Sequence, residues 1–195
     1  MKRDIILAGV GGQGILSIAT VIGYVAVQEG LFLKQAEVHG MSQRGGDVQS
    51  NLRISSEPIF SDLVAAGKAD LIISVEPMES IRYLPFLHRN GWLITSTTPY
   101  KNINDYPGEE ELLNEIKKVK NHVAIPAEAI AKELGSARSS NIVMLGAASA
   151  YLDLPFEKLE DGLRAIFGRK GEKIVNANIS AIRAGRDFAA KYLEN

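Results

Sequence analysis

A short apolar run, Ile5-Ile6-Leu7-Ala8, ends in Gly9-Val10-Gly11-Gly12-Gln13-Gly14, and a helix-like stretch from Ile15 to Gln28 follows at once. Gly9, Gly11 and Gly14 carry the spacing G-x-G-x-x-G in the context strand, turn, helix, which gives the pattern its force. Glycine permits the tight turn and lets the backbone approach a ligand closely. The free N–H groups and positive dipole end of the following helix then favour an anion such as a phosphate. A turn that merely packs helix on strand is the competing explanation.

That opening predicts an α/β fold with a doubly wound, mostly parallel sheet and a Rossmann-like N-terminal turn. Residues 5–10 read as a central strand, 14–29 as its crossover helix, and 31–38 as a second strand. Val48 to Ile54 alternates apolar and polar residues, which predicts a strand with one face more exposed. A short helix is expected over 62–67 and a buried strand over 69–75. A helix is expected from Pro77 to about Leu87, with Asn90-Gly91 as a turn before a strand over 92–97. Glu109 to Val119 reads as an amphipathic helix, 122–126 as a short strand and 127–134 as a helix. The rest, from about 139 to 195, is helical, so the 195 residues form one domain with a C-terminal helical portion.

A chain of this length buries roughly 70% of its unfolded surface and needs no staple to fold. It has 22 basic and 23 acidic residues, a net charge of -1, which gives no reason to expect nucleic acid or a membrane as a partner. There is no cysteine, which excludes a disulfide framework, a catalytic thiol and a cysteine-ligated iron–sulfur cluster held by this chain alone. The three histidines, His39, His88 and His122, lack metal-site spacing, so no metal is expected. The N-terminal apolar run is too short for a signal peptide or a span, and a cytoplasmic location is expected.

Sites of doubly wound sheets lie at the carboxyl ends of the strands. Three loops fall there: the glycine turn, His39-Gly40-Met41-Ser42-Gln43-Arg44-Gly45-Gly46-Asp47, and Glu76-Pro77. A dinucleotide site needs an acidic residue at the end of the second strand, and Glu37 is the one at hand. Gln13 places an amide where a small or apolar residue would suit a nucleotide better. Arg44 on its glycine hinge can fork onto a carboxylate or phosphate, or order a loop or a partner subunit. His39 is a weak candidate for acid–base work, since no carboxylate or nucleophile is placed to pair with it. Ser139, Ser140 and Asn141 precede a helix and suit capping, with ligand contact by Asn141 as the minority option. Glu76 could turn a carboxylate to the cleft or simply start a helix. No phosphate-loop, nucleophile-elbow or zinc signature is present.

The glycine turn, the His39-to-Gly46 loop and Asn141-Ile142-Val143-Met144-Leu145-Gly146, in this order, resemble the gamma domain of the pyruvate/2-ketoacid:ferredoxin oxidoreductases. Within that family the likeness is to the small (beta) subunits of the indolepyruvate type, where the domain is a separate chain. The resemblance implies an accessory subunit of a complex that oxidatively decarboxylates a 2-oxo acid with coenzyme A, yielding acyl-CoA and carbon dioxide and reducing ferredoxin. It implies a large partner subunit carrying thiamine diphosphate and iron–sulfur clusters, with ferredoxin met indirectly and the isolated chain inactive. Coenzyme A is a candidate ligand. Gly9, Gly11, Gly12, Gln13, Gly14, Arg44, Gly45, Gly46 and Asn141 become candidates for a cofactor- or partner-facing surface, and no catalytic residue is assigned. The alternatives are a free-standing NAD(P)-binding oxidoreductase and a structural or regulatory binding module.

Overall fold

The computed structural model describes residues 1–40 and 45–192, and at His39 it describes the backbone. Six strands form one sheet: β1 (Lys2–Val10), β2 (Phe32–His39), β3 (Asp47–Ser55), β4 (Ala69–Ser74), β5 (Leu87–Ser96) and β6 (His122–Ile125), in the order β2-β3-β1-β4-β5-β6. The steps β1–β4, β4–β5 and β5–β6 are parallel. β3 runs antiparallel to both of its neighbours, so it alone among the described strands is reversed. The expected α/β architecture with a mostly parallel sheet stands.

β1 sits mid-sheet because it can be buried on both faces. Ile5 and Leu7 point into the larger core, and Ile6 and Ala8 into the smaller one on the other side. The larger core is closed by α1 (Ile15–Gln28), α5 (Ser140–Ala148), α6 (Phe156–Phe167) and α7 (Glu172–Ala190), with α4 (Ala127–Glu133) joining α5 and α7. The smaller core is closed by α2 (Pro77–Arg82) and α3 (Glu109–Lys117), through Tyr83 and Ile116. The two-faced winding is therefore present, and its bulk is the C-terminal helical portion.

Three local expectations are corrected, while the one for β3 stands. β3 lies between β2 and β1 with Val48, Ser50, Leu52 and Ile54 all buried, and on its other face Gln49 and Arg53 flank the buried Asn51 and are themselves only half-buried. Its polar positions are satisfied internally: Asn51 Oδ1 accepts the Val64 N–H at 3.0 Å, and Arg53 forks onto Asp4 at 2.7 and 3.1 Å. The segment 62–67 is bends and turns rather than a helix, held by Arg53 donating to the Ser61 and Leu63 carbonyls. α2 stops at Arg82; a 3-10 turn over 84–86 follows, and β5 begins at Leu87. Asn90-Gly91 is not a turn. β5 runs through it with a register shift against β4, and a Cβ on Gly91 would meet the Ala69 carbonyl oxygen at 2.8 Å.

Candidate functional site

The carboxyl ends of β1, β4, β5 and β6 open into a crevice of about 1060 Å³. Its floor is Gly12, Gln13 and Gly14 after β1, Val75 after β4, Ser96 at the end of β5 and Ala127 after β6. The opposite wall is the stretch from Leu134 to Met144, with the region from Phe167 to Ser180. This is where a parallel sheet places ligands, for there the chain turns from strand to helix and backbone N–H groups are left over.

The turn itself is clamped from three sides. Gln13 spends its carboxamide on structure: Oε1 accepts the Val10 N–H at 2.8 Å, and Nε2 reaches the Val75 carbonyl at 3.4 Å. The Gly11 N–H donates to the Gly46 carbonyl at 2.8 Å, tying the turn to the β2–β3 connection. Asn141, 127 residues further on, donates from Nδ2 to the Gly14 carbonyl at 2.9 Å. Gly14 has φ +81°, a left-handed conformation, and a Cβ there would also meet Asn141 Nδ2 at 2.6 Å. Gly14 is the N-cap of α1; no side chain caps this helix and no acidic residue lies in its first turn. The positive end of the dipole is thus left for an anion from outside.

Charge follows the same logic. Arg138, Lys170 and Lys173 border the crevice, against the single carboxylate Glu128 among the described residues of its lining. Lys170 lies 5.2 Å from the centre of the Phe167 ring. A lining that combines these cations with polar backbone and with Phe167, Ile174 and Met144 suits a ligand with phosphates and an apolar arm.

The candidate residues separate in space. Gly12, Gln13, Gly14 and Asn141 line the crevice. Gly9 lies beneath it, where a Cβ would strike Val75 Cγ2 at 2.4 Å, so it serves the packing of turn on strand. Gly11 and Gly46 bond each other, and Gly45 gives its carbonyl to Asn102 Nδ2 at 2.6 Å. Arg44, with Met41, Ser42 and Gln43, lies outside the described residues, as does the side chain of His39. Glu37 sits on β2, two strands from β1, opposite Ser50, and does not line the crevice. The inserted β3 has displaced the strand end where a ribose-binding acid belongs.

Ser139 does not cap α5. Its hydroxyl instead meets Asn178 Oδ1 at 3.0 Å and Ser136 Oγ at 2.8 Å, which joins two walls of the crevice. Arg138, Lys170 and Lys173 were missed by motif reading. Nothing local distinguishes them from surface cations, and only the meeting of α7 with the segment before α5 brings them together.

Glu76 caps α2, its Oε2 accepting the Glu79 N–H at 2.8 Å. The same carboxylate is a hub. Oε1 accepts the Tyr100 N–H at 3.2 Å and the Tyr106 hydroxyl, which fastens the loop after β5 beside the crevice. Burial and the Glu76 carboxylate hold the Tyr106 hydroxyl protonated far above its ordinary range. Burial also raises Glu79, against the Arg82 guanidinium that partly offsets it. Burial, with Asp47 beside it, pushes Tyr83 up to about 12. None of these groups lines the crevice; they are scaffolding. Among the described residues no group of three or more His, Cys, Asp or Glu is placed to hold a metal ion. Among them, too, no helix is long and apolar enough to cross a membrane.

Residues 4–188 match the family described as pyruvate ferredoxin/flavodoxin oxidoreductase. The indolepyruvate oxidoreductase subunit IorB of Archaeoglobus fulgidus is 34% identical over 198 residues, covering 97% of this chain and 96% of its own. The gamma subunit of a keto/oxoacid ferredoxin oxidoreductase from Geobacter sulfurreducens superposes with a TM-score of 0.71 at 22% identity, over 97% of this chain and 99% of that one. The 2-oxoglutarate:ferredoxin oxidoreductase from Magnetococcus marinus, with 2-oxoglutarate, coenzyme A and succinyl-CoA bound, superposes with a TM-score of 0.76 at 24% identity. Here 97% of this chain is covered but 31% of that one, so the unit spans about a third of the larger polypeptide.

Proposed function

The chain belongs to the pyruvate ferredoxin/flavodoxin oxidoreductase family, and on that premise we propose that it is the accessory subunit of a 2-oxoacid:ferredoxin oxidoreductase of the indolepyruvate kind. The full-length likeness to the Archaeoglobus fulgidus subunit carries this reading, since both chains are covered almost end to end. The larger subunit supplies thiamine diphosphate and the iron–sulfur clusters. The division of labour agrees with a chain that has no cysteine.

Within the complex, the crevice is the seat for the phosphates of coenzyme A. Arg138, Lys170 and Lys173 would take its anionic groups, with the N–H groups of Gly12 and Gly14 and the uncapped start of α1. Coenzyme A supplies the thiol that accepts the acyl group. This chain's own part is to bind and orient it: Asn141 and Gln13 brace the turn against which it would lie. Arg44, on the hinge to Gly45, is retained as a partner-facing or ligand-facing candidate.

A free-standing nicotinamide enzyme is the weaker reading, because Glu37, the acid expected to meet a ribose, lies on β2 and does not line the crevice. Reconstitution decides between them. Mixed with its larger subunit, this chain should form a stable heteromer that reduces ferredoxin with indolepyruvate and coenzyme A, while neither chain does so alone. Turnover by this chain alone, or a fully active large subunit that ignores it, would overturn the proposal.

A further inference from the structure

A buried amide in the crevice keeps hydrogen-bond donors that no protein group takes up among the described residues. Asn178, on α7, lines the crevice and is only 5% exposed. Its Oδ1 accepts the Ser139 hydroxyl at 3.0 Å. That spends the Ser139 proton, so across the 2.8 Å contact between the two serines it is Ser136 that donates. The relay from Ser136 through Ser139 to Asn178 fixes which end of the carboxamide is held. The other end, Nδ2, carries two N–H donors, and among the described residues they meet no protein acceptor. Buried polar groups are otherwise paired, and a donor left unmet costs more than a typical bond returns. A clamp between α7 and the turn before α5 would be complete with Oδ1 alone. The free end faces the space where a ligand would lie.

We propose that Asn178 is a specificity-determining residue of the crevice: its Nδ2 donates to a neutral carbonyl oxygen on the uncharged arm of a phosphate-bearing ligand, and Ser139 positions it through Oδ1. The inference deepens the coenzyme A reading above and rests on it. Geometry selects the arm rather than the phosphates. Lys173 and Asn178 are five residues apart on one helix, about 7.5 Å along its axis. Ile174 and Ala177 line the crevice between them. A ligand whose phosphates meet Lys170 and Lys173 therefore runs over an apolar step before it reaches the amide. A neutral acceptor suits the amide there, since a phosphate is better served by the cations more than a helical turn away. The arm of coenzyme A that ends in the thiol carries amide groups, whose carbonyl oxygens are acceptors of this kind. A molecule that lacks such an oxygen leaves the buried donors unmet, and a site built around a hydrogen bond rejects analogues in this way.

The test is calorimetric titration of the assembled complex with two ligands: coenzyme A, and adenosine 3′,5′-bisphosphate, which keeps a phosphorylated nucleotide and lacks the amide arm. Asn178→Ala should weaken coenzyme A binding about fivefold to tenfold and leave the bisphosphate within about twofold of native. Ser139→Ala, which keeps Asn178 and frees its amide to turn, should weaken coenzyme A about threefold, again sparing the bisphosphate. The two substitutions together should weaken coenzyme A no more than Asn178→Ala alone, as expected if Ser139 acts only through Asn178. Native coenzyme A affinity in Asn178→Ala overturns the inference. So does an equal loss for both ligands, because a merely structural amide would loosen the wall that also carries Lys173. Additive losses in the double variant overturn the relay. If Asn178→Ala fails to assemble, Ser139→Ala decides alone through the same contrast between ligands. A coenzyme A affinity indifferent to Lys170→Ala with Lys173→Ala overturns the seat proposed above, and this inference falls with it.

Discussion

At the scale of single residues, Glu76 and Asn141 show how much of the site is made by side chains that never meet a ligand. Glu76 is fully buried, and its carboxylate receives the Glu79 N–H, the Tyr100 N–H and the Tyr106 hydroxyl. Glutamine has the same shape but presents one NH₂ where an oxygen must accept, so a donor would face a donor. Glu76→Gln should therefore cost about 2 kcal/mol, read from denaturant melts, with faster amide exchange along 97–108. Unchanged exchange there would deny Glu76 its role as hub. Asn141→Ala removes the donor to the Gly14 carbonyl and should cost about 1 kcal/mol in the same melts. The loss should be accompanied by weaker coenzyme A binding in the assembled complex, because the turn loses one of its clamps. Both residues were visible in the sequence as candidates. Their partners were not, since Asn141 meets a carbonyl 127 positions away and Glu76 meets donors 24 and 30 positions on.

At the scale of elements, the far wall of the crevice depends on how closely α5 approaches α7. A Cβ on Gly146 would lie 2.0 Å from the Ile182 carbonyl oxygen, and one on Gly185 2.0 Å from that of Val143. The two backbones touch, so Gly146→Ala or Gly185→Ala must push the helices apart. Each should cost about 3 kcal/mol and lower the melting temperature by roughly 6–12 °C; a melt within about 2 °C of native would show that the pair can slide. α6 is pinned to α7 by Arg183, which forks onto Glu160 at 2.6 and 2.9 Å and holds the Glu160 carboxyl below its usual value. A carboxylate lowered in the folded state stabilises at pH above its unfolded value of about 4.3, and that contribution fades as pH falls through the folded value. The melting difference between the native chain and Glu160→Gln should thus be present at pH 7 and shrink in acid below about pH 4; a constant difference would assign it to packing. Elements differ in how well local sequence announces them. β1 and α1 were legible because a doubly apolar run, a glycine turn and an apolar helix are each local signals. The place of β3 was not: alternation told which residues share the more buried face, whereas its insertion between β2 and β1 is set by strand pairing that local sequence does not announce. Asn90-Gly91 reads locally as a turn, and only the neighbouring β4 makes it an irregularity within β5.

At the scale of the whole molecule, a net charge of -1 hides an uneven distribution. Arg138, Lys170 and Lys173 face one crevice with Glu128 as the sole carboxylate among the described residues of its lining, so the local field is positive though the chain is not. The sequence total could exclude nucleic acid as an expected partner, yet it could not reveal this pocket, because the three cations are brought together by tertiary packing and not by any run of charge. The consequence is measurable. Phosphate binding by exposed cations is electrostatic and should weaken as salt rises and the screening length falls from about 10 Å at 0.1 M toward 3 Å at 1 M. Association with the larger subunit proposed above, so far as it removes apolar surface from water, should be far less sensitive. In the assembled complex, coenzyme A affinity should fall several-fold between 0.05 and about 0.5 M salt, while the heteromer persists in sedimentation. Lys173→Ala combined with Lys170→Ala should flatten that salt dependence as well as weaken binding, since the charges that salt screens are then missing. If the double variant binds coenzyme A with native affinity and native salt response, the phosphates are held elsewhere, and the crevice loses its claim to them.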